Sequence, residues 1–215
     1  MTTLGLETPQ YVITVGRQFG SGGRELGRRL ADRLGIAYYD KELLLEAARQ
    51  SGVNPEFFER SDERFPSFLS GLFSFALGYH PFNLYSGGSS ISDDSIYKAQ
   101  SDFIRTLGSE KSCVIVGRTA DYVLRDHPRL VSVFVHAPME ECVKRIMRRG
   151  DFESEDKARA HAQKVNRLRA EYYNFYTDRT WGAASSYDLT INTGLLPMDD
   201  IVEIIADFAA RRFGK

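Results

Sequence analysis

The sequence predicts an α/β fold: a mostly parallel sheet covered by helices on both faces. Short apolar runs alternate with helix-period segments along the chain, and several runs are apolar throughout, as strands buried between two helical layers must be. In such sheets ligands bind beyond the carboxyl ends of the strands, so the segments after Val15, Tyr39, Val116 and Val135 are the ones that matter for function.

Tyr11-Val-Ile-Thr-Val15 reads as a buried strand that ends in Gly16. A glycine-dense turn, Arg17 to Glu25, follows it. Leu26, Leu30 and Leu34 then recur at helical spacing until Gly35 stops the helix. Ile36–Tyr39 reads as a second strand, and Asp40 can cap a helix from Lys41 to about Gln50. From Ser51 to about Ser92, with Pro55, Pro66, Pro81 and many Phe, no clean period emerges; short helices and a loop are expected there, then a helix from Asp93 to about Leu107. Cys113–Val116 is an apolar strand, followed by Gly117-Arg118 and a helix reaching Leu124. Leu130–Val135 is the next strand. Pro138 stands where a first helical residue belongs, and Gly150 closes that helix. The segment 151–178 is charged and helical in pattern, Tyr187–Ile191 is a last strand, and Pro197 opens a C-terminal helix. Ile201, Ile204, Ile205 and Phe208 share one face of it.

Composition narrows the function. The 215 residues carry 28 Lys plus Arg against 29 Asp plus Glu, a formal charge of −1, which argues against a surface that grips nucleic acid or anionic membrane. Cys113 and Cys142 are too few for a disulfide framework and suit a reducing cytoplasm. The four histidines form no metal-ligand cluster, so no metal site is expected from them. Residues 1–10 lack the pattern of a signal peptide, and the greasiest stretch, around Phe68 to Tyr79, is too short to span a bilayer.

Three features bear on chemistry. In the first turn, Gly20, Gly22 and Gly23 let backbone approach a phosphate, and Ser21 and the following helix N-terminus favour an anion. The alternative is a tight turn that binds nothing. The turn is no dinucleotide fingerprint, because Glu25 stands at the third glycine position of GxGxxG. Nor is it a strict Walker A motif: Gly23-Arg24-Glu25 stands where Lys and then Ser or Thr belong. Arg24, or Arg17 at the entrance, would have to supply the missing charge. The second feature is Gly117-Arg118, an arginine at a strand end that can fork onto a phosphate, or else pair with Asp121 or Asp126. The third is a basic stretch. On the helix after Pro138, Lys144, Arg145, Arg148 and Arg149 face away from Val143, Ile146 and Met147. From Lys144 to Arg169, nine basic residues stand against four acidic ones, an excess of five in a chain that sums to −1. A solvated helix face is the plain alternative.

In this order the three features resemble the nucleoside monophosphate kinases, most closely the cytidylate kinase-like family of bacteria. Ile13 to Glu25 is similar to that family's variant P-loop without the lysine. Leu34 to Lys41 resembles its second-strand motif, Cys113 to Leu124 its third-strand motif, and Tyr187 to Thr193 its last strand. The resemblance implies a P-loop kinase-type three-layer fold, a single domain over 1–215. A monophosphate-binding helical insertion is implied at about 51–112 and an arginine-bearing lid at about 150–180. It implies ATP-dependent phosphoryl transfer to a nucleoside monophosphate, CMP or dCMP. Arg17, Gly20, Ser21, Gly22, Gly23, Arg24, Glu25 and Arg148 would then hold ATP. Asp40, Lys41, Arg118, Asp121 and Arg169 would hold the acceptor, with Arg24, Arg118, Arg145 and Arg149 acting in transfer. Mg2+ would rest mainly on the nucleotide phosphates, with Glu25 or Asp40 helping through water.

Several positions depart from the family pattern: Gly23 replaces its Lys, Val116 and Thr119 replace acidic neighbours of Gly-Arg, and Asn166 replaces the Asp of a lid Asp-x-x-Arg motif. Two alternatives therefore stay open, a nucleotide-binding regulatory protein without catalysis and a kinase for a different small phosphorylated acceptor. Expected partners are small nucleotides, not nucleic acid or membrane. The Phe-rich insertion reads equally as an interface or a pocket wall, which leaves the oligomeric state open.

Overall fold

The computed structural model describes residues 10–40 and 93–214; the helix expected over 41–50, Lys41 and the segment 51–92 lie outside them. In chain order the elements are β1 (Val12–Arg17), α1 (Gly23–Leu34), β2 (Ala37–Tyr39), α2 (Asp93–Glu110), β3 (Cys113–Val116), α3 (Ala120–Val123), β4 (Leu130–His136), α4 (Met139–Arg149), α5 (Glu155–Tyr176), β5 (Leu189–Asn192) and α6 (Met198–Phe213). The strands form one five-stranded sheet in the order β2-β3-β1-β4-β5, parallel at every pairing.

Alternation along the central strands divides the core into two faces. Ile13, Val15, Val114, Val116, Val131, Val133 and Val135 point to one face, where Leu26 and Leu30 of α1 and Ile201 and Ile205 of α6 cover them. Val12, Cys113, Ile115 and Leu130 point to the other, beneath Phe103, Ile104 and Leu107 of α2 and Ala120 and Val123 of α3. The result is a three-layer α/β fold with β1 at its centre, flanked by β3 and β4. That position brings the turn after β1 and the loop after β3 to the same edge of the sheet.

α4 and α5 pack on one another beside this frame through Val143, Ile146, Ala158 and Ala162. Ser154 caps α5, its Oγ accepting from the Lys157 N–H. Two expectations are corrected. Pro138 is the N-cap of α4 rather than its first helical residue: its ψ is 143°, and its carbonyl accepts the first helical bond from Cys142. On α6 the inward stripe is Ile201, Val202, Ile205, Ala206 and Ala209, which turns Ile204 out to solvent at 45% exposure. No helix of the described residues is long and apolar enough to cross a membrane.

Candidate functional site

The glycine turn ties its Ser21 carbonyl back into the protein and opens α1 without a side-chain cap. β1 stays with β4 through Gln18, whose N–H donates to Val135 O at 3.0 Å. Gly22 then takes φ +85°, left-handed backbone that side chains disfavour, and α1 starts at Gly23. No side chain caps Gly22, so the first-turn N–H groups of α1 remain available to an anion. Behind the turn, Ser21 O accepts from Thr193 Oγ (2.7 Å) and from Arg145 Nη1 (3.2 Å). Arg145 Nη2 also donates to Thr193 O at 2.6 Å. A trans peptide sets its C=O and N–H on opposite sides, so tying back the Ser21 carbonyl directs the Gly22 N–H the other way.

Four arginines from separate elements gather at this turn. Arg17, at the end of β1, lies so close to Gly117 that a Cβ there would overlap its guanidinium, and Gly117 itself has φ +82°. Arg118 and Thr119 continue in left-handed backbone at φ 63° and 51°, a run of strained residues at the strand end. Arg24, on α1, pairs with the buried carboxylate of Asp40 at 3.3 Å, and Asp40 also accepts from Tyr38 Oη. Arg169, from α5, donates to Arg17 O at 3.0 Å. Arg17 and Arg169 make no ion pair among the described residues. Burial, then the charges of Arg118 and Arg24, lowers the Arg17 pKa to about 10. Arg169 is lowered by burial and by Arg17 and Arg24. Arg17 and Arg169 thus bring buried positive charge to the turn.

α5 is docked on the turn as well as on α4. Asn166 Oδ1 accepts from the Phe19 N–H at 2.7 Å, and the Phe19 ring sits within 5.0 Å of the His161 ring and 5.3 Å of the Arg149 guanidinium. Further along, Tyr173 Oη donates to Asp121 at 2.6 Å in a buried contact, and the Tyr176 ring stacks on Tyr97 of α2 at 4.2 Å.

The expected site residues thus separate. Arg17, Gly20, Gly22, Gly23, Arg24, Asp40, Arg118 and Arg169 come together, and Arg149 reaches the rim over Phe19. Arg145 is occupied in bracing Ser21. Arg148 lies on the exposed face of α4, donating to Lys144 O. Asp121 is 5% exposed and faces Tyr173 rather than the crevice, with its pKa raised by burial. Gln18, Phe19, Asn166 and Thr193 take parts that sequence reading did not assign them. Asn166 carried a signal, as the residue three before Arg169 and hence on the same side of α5.

Among the described residues, the side chains that could hold a magnesium ion are engaged elsewhere or do not cluster. Ser21 Oγ donates to Gln18 O at 2.9 Å, Glu25 is drawn to Arg29 at 2.5 Å, and no cluster of His, Cys, Asp or Glu among the described residues could hold a metal.

Comparison with known proteins bears on the family and the fold. A solved structure of an uncharacterised protein from Eubacterium ventriosum is 29% identical, covering 93% of this chain and 98% of that one with a TM-score of 0.69. Shikimate kinase from Acinetobacter baumannii, in complex with shikimate, shares 17% identity, 97% of each chain and a TM-score of 0.52. A gluconokinase from Sinorhizobium meliloti shares 16%, over 97% of this chain and 95% of that one, at a TM-score of 0.52. At those identities the two kinases are alike in fold. No curated protein matches the chain. The family model for the cytidylate kinase-like family matches residues 12–195, and the chain belongs to that family.

Proposed function

We propose that the protein transfers the terminal phosphoryl group of ATP to a small phosphorylated acceptor, CMP or dCMP being the first candidates. The observation that carries this reading is the convergence of Arg17, Arg24, Arg118 and Arg169 on a glycine turn that opens α1 without a side-chain cap. Phosphoryl transfer needs positioning and charge neutralisation more than covalent chemistry. In this reading the turn and Arg24 hold the donor phosphates, and Arg118 fixes the acceptor phosphate. Arg17 and Arg169 stand in for the lysine that Gly23 replaces. Their fork geometry, unlike a point-charge ammonium, also fixes the orientation of phosphate oxygens. Docked α5 closes the side of the turn to water.

An ADP-release assay across nucleoside monophosphates tests the reading. Turnover with CMP or dCMP above the other acceptors supports it; no turnover with any of them at high enzyme concentration refutes the substrate class. A second reading, nucleotide binding without catalysis, is favoured by the inward Ser21 hydroxyl and by Glu25 bonded to Arg29. Calorimetric ATP binding without turnover would decide for it.

A further inference from the structure

A second concave site lies at the opposite edge of the sheet from the glycine turn, where β4 begins at Leu130 and the chain enters β5 at Leu189. Its volume is about 260 Å3. Three guanidiniums from three separate segments line it: Arg125 after α3, Arg179 after α5 and Arg212 in the last turn of α6. The one carboxylate in its lining, Asp188, is already matched. Its Oδ1 accepts from Arg212 at 2.7 Å, and its Oδ2 accepts from the Ser132 N–H and hydroxyl at 2.8 and 3.0 Å.

The charges of Arg125 and Arg179 are not matched in this way. Arg125 lies 3.9 Å from Asp126, whose side chain is 90% exposed, and otherwise donates to Tyr122 O. Arg179 donates to Ser186 O at 3.4 Å. Both guanidiniums lie over the ring of Tyr122, at 4.2 and 5.7 Å from its centroid, so one aromatic platform gathers two like charges. The carboxylates nearest them lie outside the pocket lining: the exposed Asp126 beside Arg125, and the buried Asp121, whose charge burial disfavours, near Arg179.

We infer that this pocket binds a small molecule through a phosphate group. Guanidiniums approaching from different segments, of which Arg125 and Arg179 are not matched by the pocket's own carboxylate, suit a tetrahedral phosphate ester better than a planar carboxylate. The volume falls just below the range of roughly 300–1,000 Å3 typical for drug-sized ligands, which sets the ligand below nucleotide size. Phosphate binding at the glycine turn and phosphate binding here are independent, because no lining residue of the pocket belongs to the arginine cluster.

Histidine side-chain NMR distinguishes the two. His127 lines the pocket, its Nδ1 accepting from the Arg129 N–H, whereas His161 lies against Phe19 at the glycine turn. Glycerol 3-phosphate, inorganic phosphate and acetate would each be titrated into the full-length chain. The expected result is a saturable shift of His127 with glycerol 3-phosphate, its midpoint roughly tenfold weaker in Arg125→Gln/Arg179→Gln, the loss of charge-assisted contacts. Acetate should bind far more weakly. If the double variant does not fold, Arg125→Gln alone, at an exposed position, should weaken the midpoint several-fold. The inference is overturned if only His161 moves, if His127 shifts without saturating, if acetate matches glycerol 3-phosphate, or if the variants titrate like the parent. Inorganic phosphate binding while the ester does not would mark an adventitious ion only, and would equally overturn it.

Discussion

Replacing Arg17 by methionine should stabilise the ligand-free protein and weaken its grip on phosphate. The Arg17 pKa falls from the ordinary arginine value to about 10, first through burial and then through Arg118 and Arg24. Because the folded value lies below the unfolded one, the charged guanidinium destabilises the fold at every pH below about 10. That penalty is relieved only as the pH rises from about 10 toward the ordinary arginine value. The shift corresponds to about 3 kcal/mol at neutral pH, and discounting for solvent screening of a half-buried group leaves about 1–2 kcal/mol. Methionine keeps the methylenes that pack beneath Gly23 and discards the charge. Thermal unfolding of Arg17→Met should therefore rise by roughly 2–8 °C for a chain of this size. Pyrophosphate or ATP, which should raise the parent's melting temperature, should raise the variant's much less. A variant that melts lower than the parent and still binds pyrophosphate normally would refute the reasoning, because Arg17 would then be a structural strut.

Thr193→Val removes one of the two side chains bracing Ser21 O and should cost about 1–2 kcal/mol in urea unfolding while weakening nucleotide binding. Arg145→Met made in that background should cost less than in the parent, since the two share one carbonyl; additive losses in the double-mutant cycle would dissolve the brace. Gly117→Ala forces a Cβ into left-handed backbone and into the Arg17 guanidinium, and should lose roughly 2–3 kcal/mol together with pyrophosphate affinity. Gly150→Ala, equally left-handed but facing open space, should lose only about 1 kcal/mol and keep the affinity; equal behaviour of the two would refute the contact. Asp121 faces Tyr173, Tyr187 and Arg179, and burial raises its pKa, so the folded state holds a proton that the unfolded state releases. Stability should fall as the pH rises above the ordinary aspartate range, and Asp121→Asn should flatten that slope. An unchanged slope in the variant would assign the pH dependence elsewhere.

The strands and glycines were legible because their signals are local. β1, β3 and β4 are apolar runs that need no partner to be recognised, and Gly35 and Gly150 end their helices where the pattern stops. What escaped was whatever depends on two distant segments meeting. Pro138 occupies an N-cap because its ψ follows the strand it leaves, and Ile204 turns outward because Val202 and Ala206 complete the inward stripe. Arg145 and Asp121 looked like ligand residues by type and place. Only the approach of Thr193 to the first and of Tyr173 to the second shows them spent on protein contacts.

The basic stretch from Lys144 to Arg169 shows why a count of charges was the wrong quantity. Most of that excess is answered locally: Lys144 by Glu141, Arg149 by Asp151, Lys157 by Glu153, Arg159 by Glu140 and Arg167 by Glu171. These exposed pairs say little about a ligand. Among the described residues Arg169 has no such neighbour, and α5 carries it inward, onto the carbonyl of a residue 152 positions earlier. A P-loop lysine travels with its loop and is present whenever the loop is folded. Here Arg17 arrives with β1 and Arg169 with α5, so the full charge assembles only while Asn166 holds α5 against Phe19. In the proposed reading, dispersing the charge in this way makes phosphate affinity a property of helix docking as much as of the turn itself.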